Sequence, residues 1–359
     1  MLSLLIAGGG TGGHLYPGIA VARELLARTP DARVSFVGTA AGVEARIVPR
    51  EGFELDVIRS AGLKGKSAAA LARGVALLPL SALDAWRVLS RRRPSVVIGV
   101  GGYSSGPVVA LAALRGIPTL LMEQNAAPGL TNRLLSSLVT AAAVTYPEAV
   151  RIFGPKAFVS GNPVRQEFFA AGETGDRAPG DAVRVLVFGG SQGAHAINMA
   201  MMAAAPRLAG APVRVTVTHQ TGERDLEAVR DGYRRAGFEA RVEPFLYAME
   251  REVRDADLVV CRAGATTLAE LTAAGRPSVL VPLAAATDDH QRKNARALVS
   301  AGASTLVEEH ELAVGRLAEE VLALAGDEGR RREMGRAARR LARPDAARVI
   351  VDRVLALAG

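Results

Sequence analysis

The chain has 359 residues, 49% of them apolar, one cysteine and a formal net charge of +8. That length predicts about two domains, and so high an apolar fraction excludes a mostly disordered chain. The single Cys261 excludes an intramolecular disulfide and any multi-cysteine metal or cluster site, and aromatics at 4% exclude an extended stacking surface, so nucleic acid is not an expected partner.

In chain order, the apolar run 2–7 has no basic segment before it and passes straight into glycines. It reads as a first strand, not a leader peptide. Runs at 34–37, 96–100 and 119–122 follow as strands, then 183–188, 213–218, 258–261 and 278–281. Ala- and Leu-rich helical stretches such as 19–28, 108–115 and 267–274 lie between them. None of the runs approaches the ~18 apolar residues of a membrane span. Strand–helix alternation predicts an α/β fold of parallel, doubly wound sheets. An apolar strand followed by Gly-Gly-Thr/Ser and a further Gly recurs 180 positions on, at Gly9-Gly10-Thr11-Gly12 and Gly189-Gly190-Ser191-Gln192-Gly193, which predicts two related domains. The turn Gly161-Asn162-Pro163 and the Gly/Pro/Asp-rich 172–181 mark the junction, and the segment after Pro344 reads as a separate last helix.

The charge is unevenly spread. Residues 1–163 hold 17 Lys and Arg against 9 Asp and Glu, whereas 164–359 hold 27 of each. Most of the excess lies in 64–93, where Lys64, Lys66, Arg73, Arg87, Arg91, Arg92 and Arg93 face only Asp84. Leu71, Val75, Leu78, Ala82, Trp86 and Leu89 recur there at helical spacing, broken at Pro79. The combination reads as a peripheral anchor on an anionic bilayer, as a helix packed on its own domain with a charged edge, or as both, one face each.

Gly-rich loops at 8–13, 99–106 and 189–193 each follow a strand and precede a helix. Such loops let the backbone approach a ligand, and the helix N-terminus that follows favours phosphate. The first loop also spells GxGxxG, but a dinucleotide-binding site needs an acid ending the second strand. Phe36-Val37-Gly38-Thr39 supplies none, and Glu44 lies too far on. A dehydrogenase is therefore the weaker reading, and the lack of GxxxxGK[ST] argues against a P-loop enzyme. Three loops in three places imply more than one ligand, or one ligand in a cleft between two domains. In 261–275, Gly264 turns the chain into a helix whose start carries Thr266 and Thr267, with Glu270 one turn on. Glu270 reads as an acceptor for ribose hydroxyls or as the glutamate of a Thr267-x-x-Glu270 capping box. Asp288-Asp289-His290-Gln291 opens another helix.

Taken in order, Gly9-Gly10-Thr11-Gly12-Gly13-His14-Leu15-Tyr16-Pro17-Gly18, Gly101-Gly102-Tyr103-Ser104-Ser105-Gly106-Pro107, Glu123-Gln124-Asn125, Gly161-Asn162-Pro163-Val164-Arg165, Gly189-Gly190-Ser191-Gln192-Gly193 and 262–270 resemble the MurG family. These are bacterial UDP-N-acetylglucosamine transferases that convert lipid I to lipid II in peptidoglycan synthesis. The resemblance spans nearly the whole chain. It implies a GT-B fold, with 1–163 facing the membrane and the lipid-linked acceptor, 164–344 binding the donor, and helix 345–359 crossing back to the first domain. It places donor contacts at Arg165, Ser191, Leu246, Ala265, Thr266, Thr267, Leu268, Ala269, Glu270 and Gln291, with the Leu246 backbone toward uracil. Thr11, Gly12, Gly13 and Asn125 would lie near the transferred sugar or the acceptor. His290 departs from the Gln of other members, and neither it nor His195 receives a role.

The implied reaction is inverting: the C4 hydroxyl of the acceptor N-acetylmuramoyl residue attacks C1 of the donor and UDP leaves. His14 is the candidate base, since an imidazole with an ordinary pKa near 6.5 suits proton transfer at neutrality. Glu123 and Tyr103 are in reserve. The resemblance further implies no tightly bound metal or cofactor beyond the donor substrate. It implies a peripheral position on the cytoplasmic face of the cell membrane, and spacing and charge make Leu71, Val75, Leu78, Trp86, Arg87, Arg91, Arg92 and Arg93 the candidate membrane patch. A GT-B enzyme acting on another lipid acceptor is the main alternative.

Overall fold

The computed structural model describes residues 1–61, 74, 76–170, 182–190 and 193–359. The chain divides into two compact units, one of Met1–Val164 with Arg343–Gly359 and the other of Arg165–Ala342.

The first unit holds a parallel sheet of β1 (Ser3–Gly8), β2 (Arg33–Gly38), β3 (Glu54–Val57), β4 (Val96–Gly101), β5 (Thr119–Glu123), β6 (Ala141–Val144) and β7 (Ala157–Val159). Their order across the sheet is β3-β2-β1-β4-β5-β6-β7. Leu4, Leu5, Ile6 and Ala7 of β1 are all fully buried, because helices cover both faces of the sheet. Side chains alternate across a strand. Leu4 and Ile6 accordingly join one core with helix Gly12–Arg28, and Leu5 and Ala7 join another with helices Leu78–Arg92 and Ser105–Leu114. The last helix, Ala346–Ala358, packs on helix Gly12–Arg28 and sends Ile350, Val351 and Val354 into the first of these cores. Each such side chain contributes about 2 kcal/mol by leaving water.

The second unit repeats the plan with β8 (Val183–Phe188), β9 (Val215–Gln220), β10 (Ala240–Glu243), β11 (Leu258–Cys261), β12 (Ser278–Leu280) and β13 (Ser304–Leu306), ordered β10-β9-β8-β11-β12-β13. β1 and β8 have the same length and start 180 residues apart, so the sequence echo marks the first strand of each sheet. In both sheets the strand order reverses beside that strand. Ligands of open α/β sheets bind at such switch points, outside the carboxyl ends of the strands. The glycine loops follow β1, β4 and β8, three of the four strands at the two switch points, and Arg262-Ala263-Gly264 follows the fourth, β11.

β3, β6, β7, β10 and β13 were not expected from the sequence, and two expected segments are placed differently. The strand expected at 213–218 runs from Val215 to Gln220, because His219 and Gln220 are buried polar residues that find hydrogen-bond partners. The expected helical stripe near 78–89 divides: Leu89 is buried with Ser81, Ala85 and Val88, while Leu78, Ala82 and Trp86 face solvent. Leu71 and Val75 lie outside the described residues, as do Lys64, Lys66 and Arg73. Among the described residues no helix is long and apolar enough to cross a membrane.

Candidate functional site

In the first unit, the loops after β1 and β4 stand side by side at the switch point. Thr11 is the N-cap of helix Gly12–Arg28, so Gly12, Gly13 and His14 form its first turn. His14 Nδ1 lies 3.2 Å from Thr11 Oγ1, and its ring abuts Gly101, where an added Cβ would stand 2.8 Å from His14 Cδ2. The Tyr103 ring covers Gly10, and the Tyr103 hydroxyl is 3.5 Å from Thr39 Oγ1. His14 and Tyr103 are thus drawn to one pair of loops.

Glu123 ends β5 and is buried. Its Oε1 accepts from the Asn125 amide (3.0 Å) and Asn125 Nδ2 (3.3 Å). Its Oε2 accepts from the Gly129 amide (3.0 Å) and Asn132 Nδ2 (2.9 Å). Burial pushes the carboxyl up and these donors oppose the shift. Both oxygens are occupied in holding the loop that carries Asn125, a shape-keeping task.

In the second unit, helix Ala265–Ala274 starts at N-cap Gly264 with no side-chain cap. Thr267 is inside the helix, so the capping-box reading of Glu270 fails. Instead, partly buried Glu270 stands in the field of Arg165 and Glu250. Arg165 Nη2 is 3.4 Å from Glu250, and its guanidinium lies over the Phe168 ring at 5.2 Å. Burial pushes the Glu270 carboxyl up to about 7; the charge of Arg165 lowers it and that of Glu250 raises it. The first-turn amides of a helix start and a nearby cation suit a diphosphate. Burial also raises the Cys261 thiol, and Cys261 is a core residue.

Two other expected donor contacts are tied to neighbouring loops. The Leu246 amide donates to Gln220 Oε1 (3.0 Å), and Gln220 Nε2 donates to the Gly190 carbonyl (2.8 Å). One buried glutamine therefore joins the glycine loop to the Leu246 segment. Gln291 Oε1 accepts from the Leu283 amide at 3.0 Å, leaving its Nε2 as the group that can donate to a ligand. Gly193 has φ +73°, and an added Cβ would stand 1.8 Å from the Thr221 carbonyl oxygen, so only glycine fits. Ser191 lies outside the described residues. His195 opens helix His195–Ala209, and its Nδ1 is 3.0 Å from both oxygens of Asp225. Burial pushes the Asp225 carboxyl up, but the hydrogen bonds of Asn198 and His195 and the charges of His195 and Arg224 hold it below the usual carboxylate range.

The basic helix is less free than its composition implied. Arg91 and Arg92 both pair with Asp56, and Arg92 also with Glu54. Arg59 pairs with Asp84, and Arg87 is 3.8 Å from the same carboxylate. Glu54 and Asp56 belong to edge strand β3, outside a charge count restricted to 64–93. Leu78, Leu80, Leu83 and Trp86 are exposed, as are Arg87 and Arg93.

Sequence reading missed Gln220, Glu250 and Asp225, which act across 20 or more residues of chain. It saw Glu44 only as an acid in the wrong place for a dinucleotide.

Comparison with known proteins gives a consistent result. The glycosyltransferase family 28 N-terminal domain matches residues 4–144 and the family 28 C-terminal domain matches 184–350. The UDP-N-acetylglucosamine--N-acetylmuramyl-(pentapeptide) pyrophosphoryl-undecaprenol N-acetylglucosamine transferase of Anaeromyxobacter dehalogenans (strain 2CP-C) is 51% identical over 352 residues, covering 98% of this chain and 92% of that one. The protein of the same name from Pelobacter propionicus is 49% identical, covering 99% of each. Among solved structures, MurG of Acinetobacter baumannii superposes with a TM-score of 0.79 at 29% identity, over 99% of this chain and 100% of that one. A UDP-GlcNAc 2-epimerase from Neisseria meningitidis (TM-score 0.69, 14% identity, 99% and 100% covered) shares the fold alone.

Proposed function

Because the chain belongs to glycosyltransferase family 28 and has the GT-B fold, we propose that it transfers N-acetylglucosamine from UDP-GlcNAc to the C4 hydroxyl of the N-acetylmuramoyl residue of lipid I, giving lipid II. The observation that carries the donor half is Glu270, one turn inside an uncapped helix start, beside Arg165. A carboxylate there accepts from both ribose hydroxyls, while the amides of 265–267 and Arg165 take the diphosphate. The Leu246 amide is held by Gln220, so its carbonyl is the group for the uracil N3–H.

The acceptor half rests on the first unit. The acceptor oxygen bonds to C1, the C1–O bond to the β-phosphate breaks, and His14 takes the hydroxyl proton. Thr11 sets the imidazole, and Glu123 presents Asn125 to the sugar. Negative charge grows on the departing UDP, where prearranged N–H dipoles stabilise it best. We propose that no resident metal is needed; full activity in excess chelator is expected, and a loss restored only by a divalent ion would refute this. Leu78, Leu80, Leu83 and Trp86 are exposed on a helix that also exposes Arg87, which supports a peripheral position on the cytoplasmic face of an anionic membrane.

The test is transfer of labelled N-acetylglucosamine from UDP-GlcNAc to a lipid I analogue, beside His14→Ala and Glu270→Ala. Activity in the wild type and a deep loss in both variants are expected. No transfer by the wild type refutes the reading, and transfer to a different lipid acceptor alone replaces lipid I with that acceptor.

A further inference from the structure

Glu44 is a fully buried carboxylate with no ion pair among the described residues. Three neutral donors serve it: the Gly10 amide on Oε2 at 2.8 Å, and the Thr39 amide and hydroxyl on Oε1 at 2.8 and 3.0 Å. The surrounding chain leaves room for it. A Cβ added at Gly9, Gly38 or Gly42 would stand 2.3, 2.3 or 2.2 Å from a Glu44 side-chain atom. Burying a charge without a counter-ion costs stability, and the three donors offset that cost only while all of them are in place. What the charge supplies is strong, short N–H···O⁻ bonds at fixed positions.

Those positions lie at the centre of the first unit's site. Gly10 immediately precedes Thr11, the N-cap of the helix whose first turn is Gly12, Gly13 and His14. Thr39, held by the other carboxylate oxygen, reaches toward the Tyr103 hydroxyl from the loop after β4. We propose that Glu44 is a positioning residue for the transfer: one buried carboxylate sets the β1 loop directly and the Tyr103 loop through Thr39, and so fixes where the His14 imidazole stands. Glutamine cannot substitute, because its amide accepts on one atom only and turns an N–H toward a second N–H. The inference rests on the transferase reading for its kinetic arm alone.

The experiment compares the full-length wild type, Glu44→Gln and Thr39→Val. Amide hydrogen exchange over residues 8–16 is expected to quicken at least tenfold in Glu44→Gln, with UDP binding by the second unit unchanged. kcat should fall ~10- to 100-fold, the range produced by displacement of a reacting group by about an ångström, with the donor KM within about twofold. Thr39→Val keeps the shape and the Gly10 contact; a smaller kcat loss is expected, and it preserves the test should Glu44→Gln fold poorly. Unchanged exchange over 8–16 in a folded Glu44→Gln overturns the proposal, as does a kcat loss that only tracks the folded fraction. A loosened loop in a protein whose wild type transfers no sugar upholds the positioning role and overturns the transferase reading instead.

Discussion

Replacing Glu270 with Gln separates what this side chain costs the fold from what it gives the ligand. Its carboxyl is pushed from an ordinary value of 4.5 up to about 7. At about 1.4 kcal/mol per unit, that sets a ceiling of roughly 3.5 kcal/mol for holding the ionised form in the folded protein. Glu270 keeps part of its surface in solvent, so about 1–3 kcal/mol is the expected cost. Between pH 4.5 and 7 the folded state binds a proton that the unfolded chain has released, so stability falls as pH rises through that window and the full cost is present above 7. Gln never ionises. Glu270→Gln should therefore melt with the wild type near pH 4.5 and about 2–10 °C higher at pH 8, measured by calorimetry without ligand. The same variant loses a charged acceptor for two hydroxyls and should bind UDP-GlcNAc about tenfold or more weakly by titration calorimetry at pH 8. An equal melting difference at both pH values would refute the burial argument, and wild-type donor affinity would refute the ribose contact.

Gln220→Ala cuts the bridge from Gly190 to Leu246 and should raise the donor KM about tenfold with a smaller change in kcat; an unchanged KM counts against the bridge. Gly193→Ala forces a Cβ onto the Thr221 carbonyl and should cost more than ~1 kcal/mol in thermal stability along with donor affinity. Burial holds His219 near a pKa of about 3, between Tyr233 and Asn198. Its stabilising effect is complete above the ordinary 6.5 and fades as pH falls toward 3, so His219→Gln should flatten the acid limb of the unfolding profile; a parallel profile would contradict this. Leu83→Asp with Trp86→Asp should reduce sedimentation with anionic vesicles severalfold while transfer to a detergent-solubilised acceptor persists, and full vesicle binding would remove the patch from consideration.

The parts of the fold legible in sequence are those whose cause is local. β1, β4, β5, β8 and β11 are continuous apolar runs because both faces of a parallel sheet are covered, and the glycine loops stand out because their backbone geometry needs glycine. β3, β7, β10 and β13 are not legible in the sequence because these edge strands are short and keep partly or fully exposed positions that blur the pattern. β6 is Ala-Ala-Ala-Val, a composition whose local propensity is helical and whose strand is imposed by burial between β5 and β7. The site divides the same way. Thr11, His14 and Thr266 were found through their motifs. Glu44 meets Gly10 across 34 positions and Gln220 meets Gly190 across 30, so neither partnership leaves a local trace. Arg91 and Arg92 looked available for lipid until their partners on β3 came into view.

The helix at 346–358 has a consequence for how the protein is made. The second unit is one uninterrupted segment, but the first finishes its apolar face only when Ile350, Val351 and Val354 arrive. A ribosome adding about 5–20 residues per second needs about 10–40 s to produce 165–342. Throughout that interval the nascent first unit carries an uncovered greasy strip beside helix Gly12–Arg28. The order of synthesis thus makes the earliest-translated domain the last to be sealed. Holdase chaperones have most to protect in mid-translation, and a ribosome stalled inside the second unit would release a more aggregation-prone fragment than one stalled after residue 354.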